Sequence, residues 1–343
     1  MSRTEDILEK TKRKEPEAKK WKVVVGIVVS LILVLSIYLG VYYIADVETY
    51  INETKDSPHL YDFYDAKKGS NENSVYFIGS SIVGCAIYPS EIESILNQKG
   101  YNISVYNLKV EGFSPLERST EIQKIIDCSP SLVVFGESYA TVATNWWTNE
   151  NIYLVQDRLE IRDDALYLYS NSELTCIETP QSIFGDKRFI FSALKHSNDR
   201  SSSFDYFGDA YTTELRISEE NNARNYQGII DEVNDGSWSP KISTEDNRYK
   251  DALIYNTRTL QNAGIPVVIL NMPLHPLVSE HIDDESRKNF FALLNATGAT
   301  WYDYEQSYPE EIYWYKDGHH LAPYTGALEF APVMADIIIQ ELS

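Results

Sequence analysis

Two short segments about 240 residues apart contain the side chains needed for acyl-transfer chemistry. Segment 77–84 (FIGSSIVG) places a serine directly after a strand-like run, and segment 317–327 (DGHHLAPYTGA) has Asp317 three residues before His320. A nucleophile, a base and a carboxylate that orients the base are the parts of a covalent acyl-transfer site. We therefore predict that Ser81 is the nucleophile, His320 the general base and Asp317 its orienting partner.

The turn around Ser81 favours this prediction. Gly79 and Gly84 permit a tight turn and a close backbone approach, and the Ser81 N–H at a helix start faces a developing oxyanion. The alternative is that Ser81 only caps the helix. For the second segment, the alternatives are a capping Asp317 with a surface His320, or His319 as the functional histidine.

A metal site is a third alternative for the histidine-rich segment. Asp317, His319 and His320 would supply ligands, with His275 as a further one. The three cysteines (Cys85, Cys128, Cys176) show no metal-binding spacing, and no His-x₃-His pair is present. We therefore expect neither a metal nor another cofactor.

Residues 23–45 form an uncharged run of 23 residues, rich in Val, Ile and Leu. A helix of this length spans about 34 Å, enough to cross a bilayer core of about 30 Å. Residues 1–22 carry eight basic and five acidic side chains, and this bias predicts a cytoplasmic N-terminus. We predict a single-pass anchor in the cell membrane with an extracytoplasmic domain. The alternative is a cleaved signal peptide, whose apolar region is shorter.

The exported part, residues 46–343, is strongly acidic. The chain carries −21, and the +3 of residues 1–22 leaves −24 for the remainder. Such a charge disfavours nucleic acid as a partner. An adaptation for solubility is an alternative explanation of the acidic composition.

Short apolar runs alternate with helical patterns after residue 73, and residues 46–73 are expected to form a polar, irregular stalk. The predicted strands are 74–78, 103–108, 131–135, 265–270 and 299–302. The predicted helices are 89–99, 115–127, 244–263, 279–296 and 325–342, with Glu121, Lys124 and Asp127 on an exposed face of the second. This alternation predicts an α/β domain with a parallel sheet of about five strands, whose site lies at the carboxyl ends of the strands.

Residues 141–240 do not continue the alternation of strands and helices, and we predict that they form an insertion between the third and fourth strands. This segment is rich in Trp, Tyr, Asn, Ser and Asp. Its aromatic side chains either pack the insertion against the domain or bind carbohydrate. We expect Trp146 and Trp147, together with His275, to be candidate substrate contacts.

The order of these segments resembles the SGNH (GDSL-type) hydrolase superfamily across residues 74–343, the insertion excepted. The family's first block is matched here by Gly79-Ser80-Ser81 and Gly84, and its second block by Asn107 and Gly112. Its last block is matched by segment 317–331, through Asp317, His320, Gly326 and Ala331. The resemblance implies a three-layer, flavodoxin-like fold. It extends to the membrane-anchored branch that includes the D-alanyl-lipoteichoic acid transfer protein and polysaccharide O-acetyltransferases.

The third block departs from the family pattern. It reads Gly136-Glu137-Ser138-Tyr139, with Ser138 where the family has an oxyanion-binding Asn. The resemblance then implies an oxyanion hole of the Ser81 and Gly112 N–H groups plus the Ser138 hydroxyl, a less preorganised donor than an amide.

Together these features predict an ester hydrolase or O-acyltransferase that modifies a cell-surface glycan or polymer. Its partners are an acyl ester, an acylated or acceptor glycan, the membrane and, as the family implies, a multispanning protein that passes the acyl donor across. The alternative from another class is a non-catalytic binding or scaffold module for surface polymer assembly.

Overall fold

The structure of the protein is a computed structural model. It describes residues 20–37, 60–145, 219–236, 238–245, 247–308, 314–322 and 325–343. Within these ranges lie the five strands β1 Ser74–Gly79, β2 Ser104–Lys109, β3 Leu132–Glu137, β4 Val267–Asn271 and β5 Thr300–Asp303. All neighbouring pairs are parallel, in the order β2-β1-β3-β4-β5. The predicted α/β fold with a five-stranded parallel sheet is confirmed.

The helices begin with the apolar helix α1, Lys20–Ile37. The helices before β4 are α2 Leu60–Lys67, α3 Ser81–Ala86, α4 Pro89–Gln98, α5 Pro115–Arg118, α6 Ile122–Cys128, α7 Tyr139–Val142, α8 Glu219–Asn234 and α9 Arg248–Asn262. The later helices are α10 Pro276–Glu280, α11 Asp284–Thr297 and α12 Gly326–Leu342.

Helix α1 is the part of the predicted anchor that the structure describes. It has 18 residues with a mean hydropathy of 2.2, long and apolar enough to cross a membrane by length and composition. Its large apolar side chains are exposed. A signal sequence meets the same criteria, so anchoring stays a prediction.

The central strands are buried on both faces because helices cover each side of the sheet. β1, β3 and β4 are buried at every position. On one face Val75 and Phe77 share a core with Phe330 of α12. On the other, Tyr76 meets the ring of Phe63 from α2 at 5.5 Å between centroids. This pattern explains why these strands read as continuous apolar runs.

The irregular stalk expected for residues 46–73 is wrong for residues 60–67. These form α2, whose Leu60, Phe63 and Tyr64 are buried. The apolar positions i, i+3 and i+4 give the helix one face that packs on the sheet.

The single helix expected for residues 115–127 is also wrong. α5 gives way to a 3-10 turn, Ser119–Glu121, before α6 begins. Glu121, expected on an exposed face, is fully buried. Its carboxylate accepts bonds from Arg118 at 2.8 and 2.9 Å and from Tyr64 at 2.9 Å, and a buried carboxylate needs such partners.

Two further boundaries follow from caps that interrupt the apolar pattern. The predicted helix 279–296 is divided between α10 and α11, because Asp283 accepts from the Ser286 N–H at 2.7 Å and starts a new helix. Similarly, α9 begins at Arg248, after the Asn247 cap, four residues later than predicted.

The proposed insertion lies mostly outside the described residues. Within 141–240, the structure describes the end of α7, all of α8 and the segment around Trp238. Trp146 and Trp147 lie outside the described residues, and their role stays a prediction.

Candidate active site

The segment around Ser81 is a strand-to-helix turn at the carboxyl end of β1. Ser80 occupies the N-cap of α3, and its hydroxyl accepts from the Ile82 N–H at 3.4 Å. Ser81 is the first helical residue, with a partly exposed side chain. Of the two serines, Ser80 therefore caps the helix and Ser81 presents its hydroxyl outward.

Two glycines make room for this turn. A Cβ at Gly79 or at Gly136 would overlap the Val83 side chain, which fills the space between the ends of β1 and β3. Val83 itself is buried in the core beneath the turn. The glycines therefore let α3 approach the sheet closely enough to fix the position of Ser81.

The histidine comes from a tight loop before α12. The loop is closed by a backbone bridge between Tyr315 and Leu321, and by a bond from the Lys316 N–H to the His320 carbonyl at 2.8 Å. The Tyr315 hydroxyl donates to the Leu274 carbonyl at 2.8 Å, which ties the loop to the segment after β4.

The structure brings Ser81, His320 and Asp317 together. His320 Nε2 lies 2.8 Å from Ser81 Oγ. His320 Nδ1 lies 2.9 and 2.8 Å from the two Asp317 carboxylate oxygens. An ionised carboxylate only accepts hydrogen bonds, so Nδ1 carries the proton and Nε2 is left to accept from Ser81.

The Asp317 carboxylate is held in its charged form. It accepts the backbone N–H groups of His319 and His320 at 3.0 and 2.9 Å. Burial acts against the charge, but the hydrogen bonds and the neighbouring imidazoles outweigh it and hold the pKa of Asp317 below its usual value. The carboxylate therefore remains available to stabilise a protonated His320.

His319 points to a different set of neighbours. Its ring lies 4.7 Å from the Trp238 ring and 3.9 Å from the His320 ring, measured between centroids. Burial, with the adjacent His320, lowers the pKa of His319 to about 4, although Asp317 acts in the opposite direction. No contact between His319 and Ser81 is present among the described residues, so the geometry favours His320 as the base.

Trp238 is a residue that the motif analysis did not single out. It is buried, and its indole N–H donates to Glu232 of α8 at 3.0 Å. Its ring also lies close to Gly318, where a Cβ would meet it at 3.4 Å. An isolated Trp in a polar segment carries no spacing signal, so only the fold shows that it packs on the histidine loop.

The proposed oxyanion donors lie at the ends of the strands, as expected. Gly112 is in the turn after β2, with a φ of 67°. Ser138 directly follows β3 and is 0% exposed, and its hydroxyl has no hydrogen-bond partner in the described part of the chain. The oxyanion roles of Ser81, Gly112 and Ser138 stay predictions.

The structure places His275 in the interior rather than on a substrate surface. It is 0% exposed, its ring packs against Tyr226 and Tyr315, and its Nδ1 accepts from the Leu277 N–H at 3.3 Å. This placement disfavours direct contact with substrate, and it explains the residue as a cap of α10. The group of side chains that could hold a metal ion consists of Asp317, His319 and His320, and His275 is not part of it.

Comparisons with known proteins give no family assignment by sequence. No protein-family model matches the chain, and no curated protein matches it. Among solved structures it is similar to a "putative acylhydrolase" from Bacteroides fragilis NCTC 9343, with a TM-score of 0.36 and 13% identity, covering 82% of this chain and 95% of that one.

A second solved structure is a gut microbial diltiazem-metabolizing enzyme. The TM-score is 0.35 with 10% identity, and the match covers 79% of this chain but 47% of that enzyme. The case for a function therefore depends on the side chains of the site.

Proposed function

We propose that the chain is a serine-dependent ester hydrolase or O-acyltransferase. The observation that carries this proposal is the hydrogen-bonded series from Asp317 through His320 to Ser81, with contacts of 2.8 Å on each side of the imidazole. These are the distances required for proton transfer from a hydroxyl to a base that is itself oriented by a carboxylate.

The chemistry proceeds in two balanced steps. His320 Nε2 takes the Ser81 proton as Oγ bonds to the acyl carbon, and the imidazolium then returns that proton to the departing alcohol. In the second step, water or another hydroxyl gives its proton to His320 as its oxygen bonds to the acyl carbon, the bond from that carbon to Ser81 Oγ breaks, and the imidazolium returns the proton to Oγ. Asp317 stabilises the imidazolium formed in each step.

The acceptor decides between hydrolase and transferase. Water as acceptor gives an esterase, whereas a glycan hydroxyl gives an O-acyltransferase. The resemblance to the membrane-anchored SGNH branch and the apolar helix α1 support a surface glycan or polymer as the substrate, with the domain outside the cell and a multispanning donor protein as a partner.

Covalent labelling of the full-length protein with a fluorophosphonate tests the proposal. We expect one label per chain, on the peptide that contains Ser81. Ser81→Ala should abolish labelling, whereas the matched neighbour variant Ser80→Ala should retain it, since Ser80 only caps α3.

Two results would contradict the proposal. Labelling that persists in Ser81→Ala but disappears in Ser80→Ala would identify the other serine. A folded wild-type protein that takes up no label would favour the non-catalytic binding module.

A further inference from the structure

The loop that carries the predicted base also gathers three side chains of the types that bind zinc. One ligand atom from each of Asp317, His319 and His320, a carboxylate oxygen and two ring nitrogens, lies within 4.8 Å of the other two. His319 Nδ1 is 3.4 Å and His320 Nδ1 is 2.8 Å from the carboxylate. Tetrahedral zinc, with bonds of about 2.0–2.1 Å, keeps neighbouring ligand atoms about 3.3 Å apart. The distance from His319 Nδ1 to the carboxylate fits this geometry, and the distance from His320 Nδ1 to the carboxylate has to widen by about 0.5 Å.

The His319 ring nitrogen is the observation that points to a ligand. Apart from the 3.4 Å contact with the Asp317 carboxylate, which is an ion pair only when the ring is protonated, His319 Nδ1 has no hydrogen-bond partner in the described part of the chain. The ring is held in place between Trp238 and His320. Enclosed polar atoms are rarely left without a partner, and such exceptions call for a specific explanation.

Each of the three side chains keeps part of its surface exposed, although the His319 Nδ1 atom itself is enclosed. They are 34%, 28% and 13% exposed for Asp317, His319 and His320. Two imidazoles and one carboxylate suit zinc, whereas magnesium and calcium prefer sites made of oxygen alone.

We propose that Asp317, His319 and His320 bind a zinc ion, and that the bound ion switches off the catalytic base. The inhibitory effect rests on the proposed function, but binding does not.

Inhibition follows from the tautomer of His320. In the metal-free site Nδ1 holds the proton and Nε2 accepts from Ser81 Oγ at 2.8 Å. When zinc binds the Nδ1 lone pair, the proton of the neutral ring resides on Nε2, so the ring gains no charge and loses no proton overall. An Nε2–H facing the hydroxyl has no free lone pair, and Ser81 then cannot be deprotonated by it.

Binding is tested without reference to activity. Full-length Ser81→Ala protein, stripped with EDTA, is titrated with Zn²⁺ by calorimetry and with Co²⁺ by visible absorption. We expect one ion per chain and a tetrahedral cobalt spectrum. Adding His319→Phe, which keeps a ring beside Trp238, should weaken binding by at least about tenfold.

The matched control is His281→Gln in the same background. His281 is exposed, and its Nδ1 contacts the Leu277 carbonyl within α10. This variant should bind zinc like the parent. No binding by the parent, or equal affinity in His319→Phe, overturns the site. Melting temperatures identify a misfolded His319→Phe protein, in which case His319→Gln gives the same comparison.

Inhibition is tested on chains with intact Ser81. Zinc should slow fluorophosphonate labelling, EDTA should restore it, and His319→Phe should need at least about tenfold more zinc for the same fractional loss. Zinc that binds without slowing labelling overturns the inhibitory role. A protein that never labels contradicts the proposed function, while the titration still decides the site.

Discussion

Ser80 and Ser81 show how far neighbouring residues of one type can differ in chemical role. Ser80 is buried with its hydroxyl turned to the Ile82 N–H, whereas Ser81 Oγ faces His320 Nε2. The two lie on different sides of the turn because helix α3 begins between them. The sequence supplied the motif, but which hydroxyl meets the histidine depends on the direction of that helix.

Ser138 is the first residue for which we predict a measurable effect. Ser138 is the N-cap of α7, but its buried hydroxyl makes no well-formed hydrogen bond among the described residues, so Ser138→Ala should change the melting temperature little. If the hydroxyl donates to the oxyanion, single-turnover acylation should slow by about tenfold, equivalent to about 1.4 kcal/mol. An unchanged acylation rate would remove Ser138 from the site.

Glu137 predicts a pH dependence of stability. It is fully buried, and burial raises its pKa to about 7, although Thr141 and Arg118 act in the opposite direction. Between its unfolded pKa near 4.5 and about 7, the folded state binds the proton more tightly. The contribution of Glu137 to stability should therefore be greatest below that window and fall as the pH rises through it.

The variant Glu137→Gln isolates this effect. A neutral amide at this position should abolish the fall in the free energy of unfolding that Glu137 causes as the pH rises. The variant should therefore be more stable than wild type at pH 8 by up to about 3 kcal/mol. Denaturant unfolding at pH 5 and pH 8 measures it. A wild-type protein as stable at pH 8 as at pH 5, with Glu137→Gln no different, would mean that the carboxyl is ionised in the fold.

At the scale of elements, the five strands were predictable and several helix boundaries were not. The three central strands β1, β3 and β4 are short apolar runs buried at every position, as parallel strands covered on both faces are, whereas β2 and β5 at the sheet edges are only partly buried. Helix α2 was missed because polar residues surround its three buried positions. The burial of Glu121 could not be read locally, since one partner, Tyr64, lies 57 residues earlier.

The contact between Trp238 and the histidine loop predicts a role for the segment after α8. Trp238→Ala would leave a cavity beside His319 and Gly318, and this cavity would loosen the loop. A misplacement of about 1 Å costs on the order of 10²-fold in rate, so labelling of Ser81 should slow by about 10- to 100-fold. The labelling rates are measured well below the melting temperature of the variant, so that unfolded protein does not reduce the measured rate.

Trp301→Ala is the matched control for this prediction. Trp301 stacks on Phe291 at 5.5 Å, on β5 and α11 rather than on the histidine loop. It should lower the melting temperature and leave the labelling rate near that of wild type. Equal rates for Trp238→Ala and Trp301→Ala would mean that Trp238 only stabilises the fold.

At the scale of the whole molecule, the uncharged run of residues 23–45 and the basic N-terminal residues predict the topology. A protease added to intact cells should cut within residues 46–343 and leave the first 20 residues intact, because eight basic side chains hold that end in the cytoplasm. Permeabilised cells serve as the control. Protection of the C-terminal part in intact cells would contradict the orientation, and with it a surface substrate.

The central claim is that acyl groups pass through Ser81, and pre-steady-state turnover of p-nitrophenyl acetate by the full-length protein tests it most directly. We predict a burst of one p-nitrophenol per chain, with an acetyl group on the Ser81 peptide after acid quench. Ser81→Ala should lack both, and His320→Ala should form the acetyl adduct far more slowly, since nothing then removes the Ser81 proton. Ester turnover without a burst, or with the acetyl group on Ser80, would contradict the account.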